Sequence, residues 1–227
     1  MNNQYDYEMR FEELAKGIDT TFKGVLEPFI YNSISYYYNS KTFFKDMRIL
    51  DVGCGCGYLT NGIANKFKIA EVEGIDISES AVLFAKAHSN LKFTQQNIVN
   101  MNSNKQFDVI VYNMVLHNLL ELEETIRVTS NILKPNGIVL ITIPHPAFWL
   151  SDKIARGKIK LSEPFNYNLE KSYQIPFHIK NGIEHKSRLT YYHRRLDTYF
   201  DAFLKYLELA RFEEADFTTI ARIILRK

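Results

Sequence analysis

Apolar residues recur at helical spacing over residues 5–16 and again over 22–38, with Pro28 placed to kink or restart the second segment. Two or three amino-terminal helices are expected. Near residue 48 the pattern changes. RILDVG at 48–53 is a short apolar run ending in glycine, and LTNGIANKF at 59–67 returns to helical spacing, which together read as strand, tight turn and helix. The alternation then repeats. Residues 70–77 read as the second strand and 78–89 as its helix, with Ser78 as N-cap and an acidic first turn. Residues 91–97, 107–114 and 137–144 read as strands three to five, with a helix over 122–133. Lys134-Pro135-Asn136-Gly137 reads as a helix stop and a turn into strand five.

Runs such as VIV and IVLITI are apolar on both sides of the chain, so these strands are covered on both faces, the mark of a parallel, doubly wound α/β sheet. After Pro146 the pattern breaks. Residues 147–193 carry no helical period, but 172–180 and 183–193 flank Asn181-Gly182, a favoured hairpin turn, so a β-hairpin inserted after strand five is expected. Helical spacing resumes over 196–210, and 212–217 with 219–227 supply a last pair of strands. The expected architecture is a mostly parallel seven-stranded sheet with helices on both faces. Residues 1–45 would form a helical cap, and 46–227 one unit carrying 147–193 as an insert. No linker separates independent domains.

Composition adds further constraints. Of 227 residues, 46% are hydrophobic and 24% charged, which excludes intrinsic disorder and low-complexity classes. Aromatic residues reach 14%, enough for some rings to line a ligand cavity. A formal net charge of +2 provides no polyanion footprint and argues against nucleic acid as a partner, while leaving oligomeric state open. The two cysteines, Cys54 and Cys56, are too close to staple a fold and match no zinc spacing, which fits a reducing, cytoplasmic compartment and no metal site. The polar amino terminus reads as no signal, and no apolar run approaches the roughly 18 residues of a membrane span.

The chemistry concentrates in Asp51-Val52-Gly53-Cys54-Gly55-Cys56-Gly57, at the carboxyl edge of the sheet where open α/β folds bind ligands. Glycines spaced G-x-G-x-G depart from the dinucleotide pattern G-x-G-x-x-G. Asp51 beside them suits a ligand carrying an ammonium and a sulfonium better than one carrying pyrophosphate. At this point the chain resembles the class I S-adenosylmethionine-dependent methyltransferases, in their small-molecule, type 11-like branch. ILDVGCGCGYLT is similar to that family's first motif, GIDIS at 74–78 to its acidic second motif, and FDVIVYNMVLHNL with LKPNGIVLITIP to its fourth-strand and fifth-strand motifs. The resemblance implies a Rossmann-like fold, S-adenosyl-L-methionine as cofactor with S-adenosyl-L-homocysteine as product, and a small-molecule acceptor methylated at O or N.

Carried over residue by residue, the resemblance places the methionine part of the cofactor on Gly53, Cys54 and Gly55, with Asp51 at its amino end. Asp76 would accept from both ribose hydroxyls. Ile77 would pack on the adenine, Asn97 would accept from its amino group where the family usually has Asp, and Ile98 would offer its N–H. Asn113 and Met114 would flank the methionine end. For catalysis the candidates are His145, His117 and His193, since imidazole is the usual base for a hydroxyl or nitrogen acceptor. Aromatic residues of the insert and Phe29, Tyr31 and Tyr36 to Tyr38 are expected to roof an apolar or aromatic acceptor. Arg194 and Arg195 are expected at a solvated helix start, with the holding of an acceptor carboxylate as the alternative. The alternatives left open are a regulatory or inactive protein of this fold and methylation of a macromolecule.

Overall fold

A computed structural model describes residues 19–38, 46–69, 71–102, 104–178, 184–215 and 219–227. The helix expected over 5–16 and the Asn181-Gly182 turn lie outside the described residues. The strands, in chain order, are β1 (Arg48–Val52), β2 (Glu71–Asp76), β3 (Lys92–Gln95), β4 (Phe107–Asn113), β5 (Leu133–Pro144), β6 (Lys171–His178), β7 (Glu184–His193), β8 (Glu208–Ala215) and β9 (Ile220–Arg226). Seven of them form one sheet in the order β3-β2-β1-β4-β5-β9-β8, while β6 and β7 pair antiparallel as a separate hairpin. β1 to β5 run parallel, and β9 lies antiparallel between β5 and β8. Strand order reverses between β1 and β4, so the carboxyl ends of these two strands flank the crevice where such sheets take ligands.

The helices are α1 (Glu27–Tyr37), α2 (Tyr58–Phe67), α3 (Glu79–Ala87), α4 (Leu122–Ile132), α5 (Trp149–Ala155) and α6 (Leu196–Leu204). Alternate residues of each central strand feed opposite cores, as a period of two requires. On β4, Ile110 and Tyr112 share one core with Ile126 of α4 and Phe203 of α6, whereas Val109 and Val111 share the other with Ile30 and Ile34 of α1 and Ile63 of α2. Each such side chain, fully buried, contributes about 1.5 to 3 kcal/mol. The Tyr112 hydroxyl, a polar atom inside this core, is paired with Thr129 Oγ1 at 2.5 Å, and the Thr129 hydroxyl donates to Thr125 O. Pro28 neither breaks nor restarts the helix: a π-helical stretch, Phe22–Leu26, runs directly into α1 through helical backbone at Leu26 and Glu27, with the Glu27 N–H on Phe22 O and the proline in the first turn of α1. Ser78 caps α3 by accepting from Ala81 N.

Four further expectations need correction. Helical spacing over 196–210 overshoots, because α6 ends at Leu204 and residues 208–210 extend along β9, with Leu209 opposite Leu225. Strand pairing there overrides the local period. Residues 134–137 form a bulge inside β5: Leu133 already pairs with Phe107 and Ile138 with Val109, and Asn136 takes φ 63. Residues 147–193 contain a helix, α5, whose seven residues are too few to display a period and which is held by the fully buried Leu150. Finally, Arg194 is buried rather than solvated. The hairpin packs its own small core, Tyr173, Ile175 and Tyr191 against Leu150 and Ile159.

Candidate functional site

Three left-handed glycines shape the turn after β1: Gly53 at φ 69, Gly55 at φ 53 and Gly57 at φ 75. The N–H groups of Gly53 and Cys54 donate to Ile75 O at 2.7 and 3.0 Å, which folds the turn over the end of β2. A Cβ on Gly53 would lie 2.5 Å from Val115 Cγ2, so the turn and the residues after β4 touch. A Cβ on Gly55 would meet nothing within 4 Å, leaving its backbone open to a ligand. Cys54 is turned inward, packed with Val82, Ala85 and Phe93, and burial pushes its thiol pKa up.

Two carboxylates bracket this turn. Asp76 Oδ2 accepts from Gly55 N and Oδ1 from Ser78 N, both at 2.9 Å. Burial raises its pKa while these N–H bonds oppose the rise. Asp51 is buried, accepts from Thr60 Oγ1 at 2.6 Å, and is pushed up to about 7 by burial, with the Asp76 charge adding to the shift. Among the described residues no basic side chain pairs with either acid, so the turn carries uncompensated negative potential that a cationic ligand would relieve. Ile77, next along, is 65% exposed. Asn97 Oδ1 accepts from Val99 N and caps the short 3-10 turn that Ile98 opens. Asn113 Oδ1 accepts from Thr142 Oγ1, and Met114 holds a left-handed φ of 60 with its N–H on Thr142 O, a strained non-glycine conformation beside the crevice.

The three histidines are all buried; the rings of His117 and His193 both neighbour Tyr191, whereas His145 faces Glu214. His145, 2% exposed, directly follows β5: its main-chain N–H donates to Thr219 O, Nδ1 accepts from Ala147 N at 3.3 Å, and its ring stacks on Phe148. Nε2 stands 2.8 Å from Glu214 Oε1, close enough for charge attraction although the angle is outside hydrogen-bond geometry. His117, 6% exposed, sits on the 3-10 turn Leu116–Asn118 after β4, with its ring 5.7 Å from that of Tyr191. Burial and the neighbouring Arg194 guanidinium lower its pKa to about 3. His193, at the end of β7, shares the aromatic surroundings of Tyr191, Phe165 and Tyr167.

Arg194 is a structural group that the sequence does not reveal. Its guanidinium donates to the carbonyl oxygens of Leu119 and Leu120 at 2.5 and 2.8 Å, tying the hairpin to the loop after β4. Nothing in the local sequence signals this, because the partners are main-chain atoms 75 and 74 residues away. The expected aromatic roof is partly corrected too. Tyr38 donates to Asp108 O near the start of β4, on the edge opposite the glycine turn, and Tyr36 is exposed. At the near edge the approach to α1 brings Phe22 and Lys23 instead, both against Tyr58.

Residues 43–198, more than half of the chain, match the family model of a methyltransferase domain. The chain is 32% identical over 146 residues to the malonyl-[acyl-carrier protein] O-methyltransferase of Bacillus anthracis, covering 62% of this chain and 53% of that protein. It is 28% identical over 117 residues to the ubiquinone biosynthesis O-methyltransferase of Rickettsia canadensis, covering 50% and 48%. The chain thus spans about half the length of these curated relatives. Among solved structures, an S-adenosylmethionine-dependent methyltransferase from Clostridium acetobutylicum superimposes with a TM-score of 0.67 at 15% identity, covering 98% of each chain. A second, from Listeria monocytogenes, gives 0.63 at 20% identity over 84% of this chain and 97% of that one. At these identities the structural likeness shows the fold.

Proposed function

The chain belongs to the methyltransferase-domain family, and from that membership we propose that it transfers a methyl group from S-adenosylmethionine to an oxygen or nitrogen of a small organic acceptor. The observation that carries this reading is the pair of acids at the glycine turn, neither met by a basic side chain among the described residues, with Asp76 fixed by the N–H groups of Gly55 and Ser78. A carboxylate has about four lone-pair sites, so two remain for the ribose hydroxyls. Asp51 supplies the charge for the amino end, Gly55 the close approach, Ile77 an apolar surface for the base, and Asn97 with Ile98 its polar edge.

When bound, S-adenosylmethionine supplies an electrophilic methyl carbon on a sulfonium, whose carbon–sulfur bond breaks with its electron pair going to sulfur. The protein's part is orientation of the acceptor and exclusion of water. The hairpin acts as a lid with α5, setting Tyr191, with Trp149 beside it, against His117 on the turn after β4. The proton of an acceptor hydroxyl, or of an aromatic ring N–H, becomes strongly acidic once methylation places positive charge on the acceptor, and it passes to a neutral imidazole. His193 is better placed for this than His145, while His117, held neutral by burial and the Arg194 guanidinium, serves as a hydrogen-bond partner of the acceptor.

The test has two readouts. S-adenosylhomocysteine is titrated calorimetrically into the protein and into Asp76→Ala, and a single-turnover assay with labelled donor is run against a metabolite extract. Donor binding with no labelled product would favour a regulatory protein of this fold. No binding at all would defeat the proposal.

A further inference from the structure

The inner face of the hairpin presents buried polar atoms with no hydrogen-bond partner among the described residues. Tyr173 and Tyr191 are partners across β6 and β7, and His193 follows Tyr191 by two, so all three project from one face. That face packs against the 3-10 turn carrying His117, against Trp149, whose ring centroid is 5.4 Å from that of Tyr191, and against Phe165, 4.9 Å from His193. His193 is 1% exposed, His117 6% and Tyr173 8%. Among the described residues His193 Nδ1, His117 Nδ1 and the Tyr173 hydroxyl have no hydrogen-bond partner. Apolar side chains of the same shape would pack here without leaving buried polar atoms unpaired, so the polar atoms call for a ligand.

Their polarity defines that ligand. His193 Nε2 lies 2.9 Å from Tyr167 O; a carbonyl only accepts, so Nε2 carries the proton and Nδ1 presents a lone pair. Arg194, the basic group beside His117, directs its N–H groups to the carbonyls of Leu119 and Leu120. Lys171, 5.4 Å over the Tyr173 ring, is paired with Glu163 at 2.7 Å, so the face combines aromatic rings, an imidazole lone pair and a hydroxyl with neighbouring cations that already have partners. Resting on the methyltransferase reading above, we propose that this face is the acceptor subsite and that it selects an uncharged aromatic or heteroaromatic molecule presenting an O–H or N–H donor, in preference to a carboxylate.

Phenol, indole and benzoate are the probes, each titrated with and without S-adenosylhomocysteine while the imidazole ¹⁵N resonances are followed. Phenol and indole should move the Nδ1 resonances of His193 and His117 and bind about tenfold or more tighter than benzoate, the discrimination expected when polar groups would otherwise stay unpaired. Tyr173→Phe should weaken phenol binding about three- to tenfold with thermal stability unchanged or raised, since the hydroxyl has no partner to lose. His117→Phe should weaken it as well. Benzoate binding as tightly as phenol, unmoved Nδ1 resonances, or normal phenol affinity in Tyr173→Phe would each overturn the proposal. Failure of S-adenosylhomocysteine to bind would instead strike the methyltransferase reading, because the phenol titration alone reports on this face.

Discussion

Asp76 Oδ2 receives the main-chain N–H of Gly55 at 2.9 Å, so the acid that ends β2 also closes the turn that follows β1. One side chain thereby sets the spacing between two neighbouring strand ends and keeps lone pairs for a ligand. Asp76→Ala should weaken S-adenosylhomocysteine binding by about 1.5 to 3 kcal/mol, the range for hydrogen bonds to a charged group. It should also loosen the turn, which hydrogen exchange at Gly55 would register. Unchanged affinity by calorimetry would remove Asp76 from the site.

Gly53 and Gly55 should respond differently to a methyl group. At Gly53 the added Cβ would stand 2.5 Å from Val115 Cγ2 in a left-handed conformation, so Gly53→Ala should cost about 2 to 4 kcal/mol from overpacking and backbone strain together. Val115→Ala in the same chain should recover part of that loss. Gly55→Ala meets open space and carries only the strain, about 1 to 2 kcal/mol, while its methyl group would occupy the ligand's approach. Thermal melts and donor titrations on the three variants separate the two effects.

Asp51 should make both stability and binding depend on pH. Its folded pKa of about 7 lies above the ordinary 3.8, so its contribution to stability is complete below about pH 4 and is lost as pH rises toward 7. Asp51→Asn should flatten that part of the profile. A cationic donor favours the ionised carboxylate, so binding of S-adenosylmethionine near pH 6 should release protons, read as a dependence of the calorimetric heat on buffer ionisation enthalpy. Heat independent of buffer would separate Asp51 from the ligand's charge.

His117 works in the opposite sense. With its folded pKa near 3 against an ordinary 6.5, its contribution is complete above pH 6.5 and is lost as pH falls toward 3. Arg194→Met should raise that pKa by removing the adjacent cation, which an NMR titration of the ring would show. The same substitution leaves the Leu119 and Leu120 carbonyls without their donor and should cost about 2 to 4 kcal/mol, a fall in Tm of several degrees for a chain of this size.

Local signals suffice wherever a single element decides the outcome. The G-x-G-x-G turn, the Ser78 cap and the doubly buried strands all follow from residues within a few positions of one another. The departures share a different cause. Leu209 looks helical until β9 lies beside it, Arg194 looks solvated until the loop after β4 folds against it, and Tyr38 looks like part of a roof until its hydroxyl reaches Asp108 O. The ring of His145, between two prolines, meets Glu214, a neighbour that no local signal announces because its proximity depends on the β8 register. Long-range pairing decides each of these.

The place of β9 inside the sheet bears on how the chain is made. As synthesis proceeds, β5 emerges with Val139, Ile141 and Ile143 ready to pack, but the strand that covers its free edge is not available until residues 220–226 have left the ribosome. Until then a nascent chain holding β1 to β5 exposes an apolar, unpaired strand edge of the kind that recruits other chains. Truncations that remove β9 should therefore aggregate rather than yield a smaller soluble sheet.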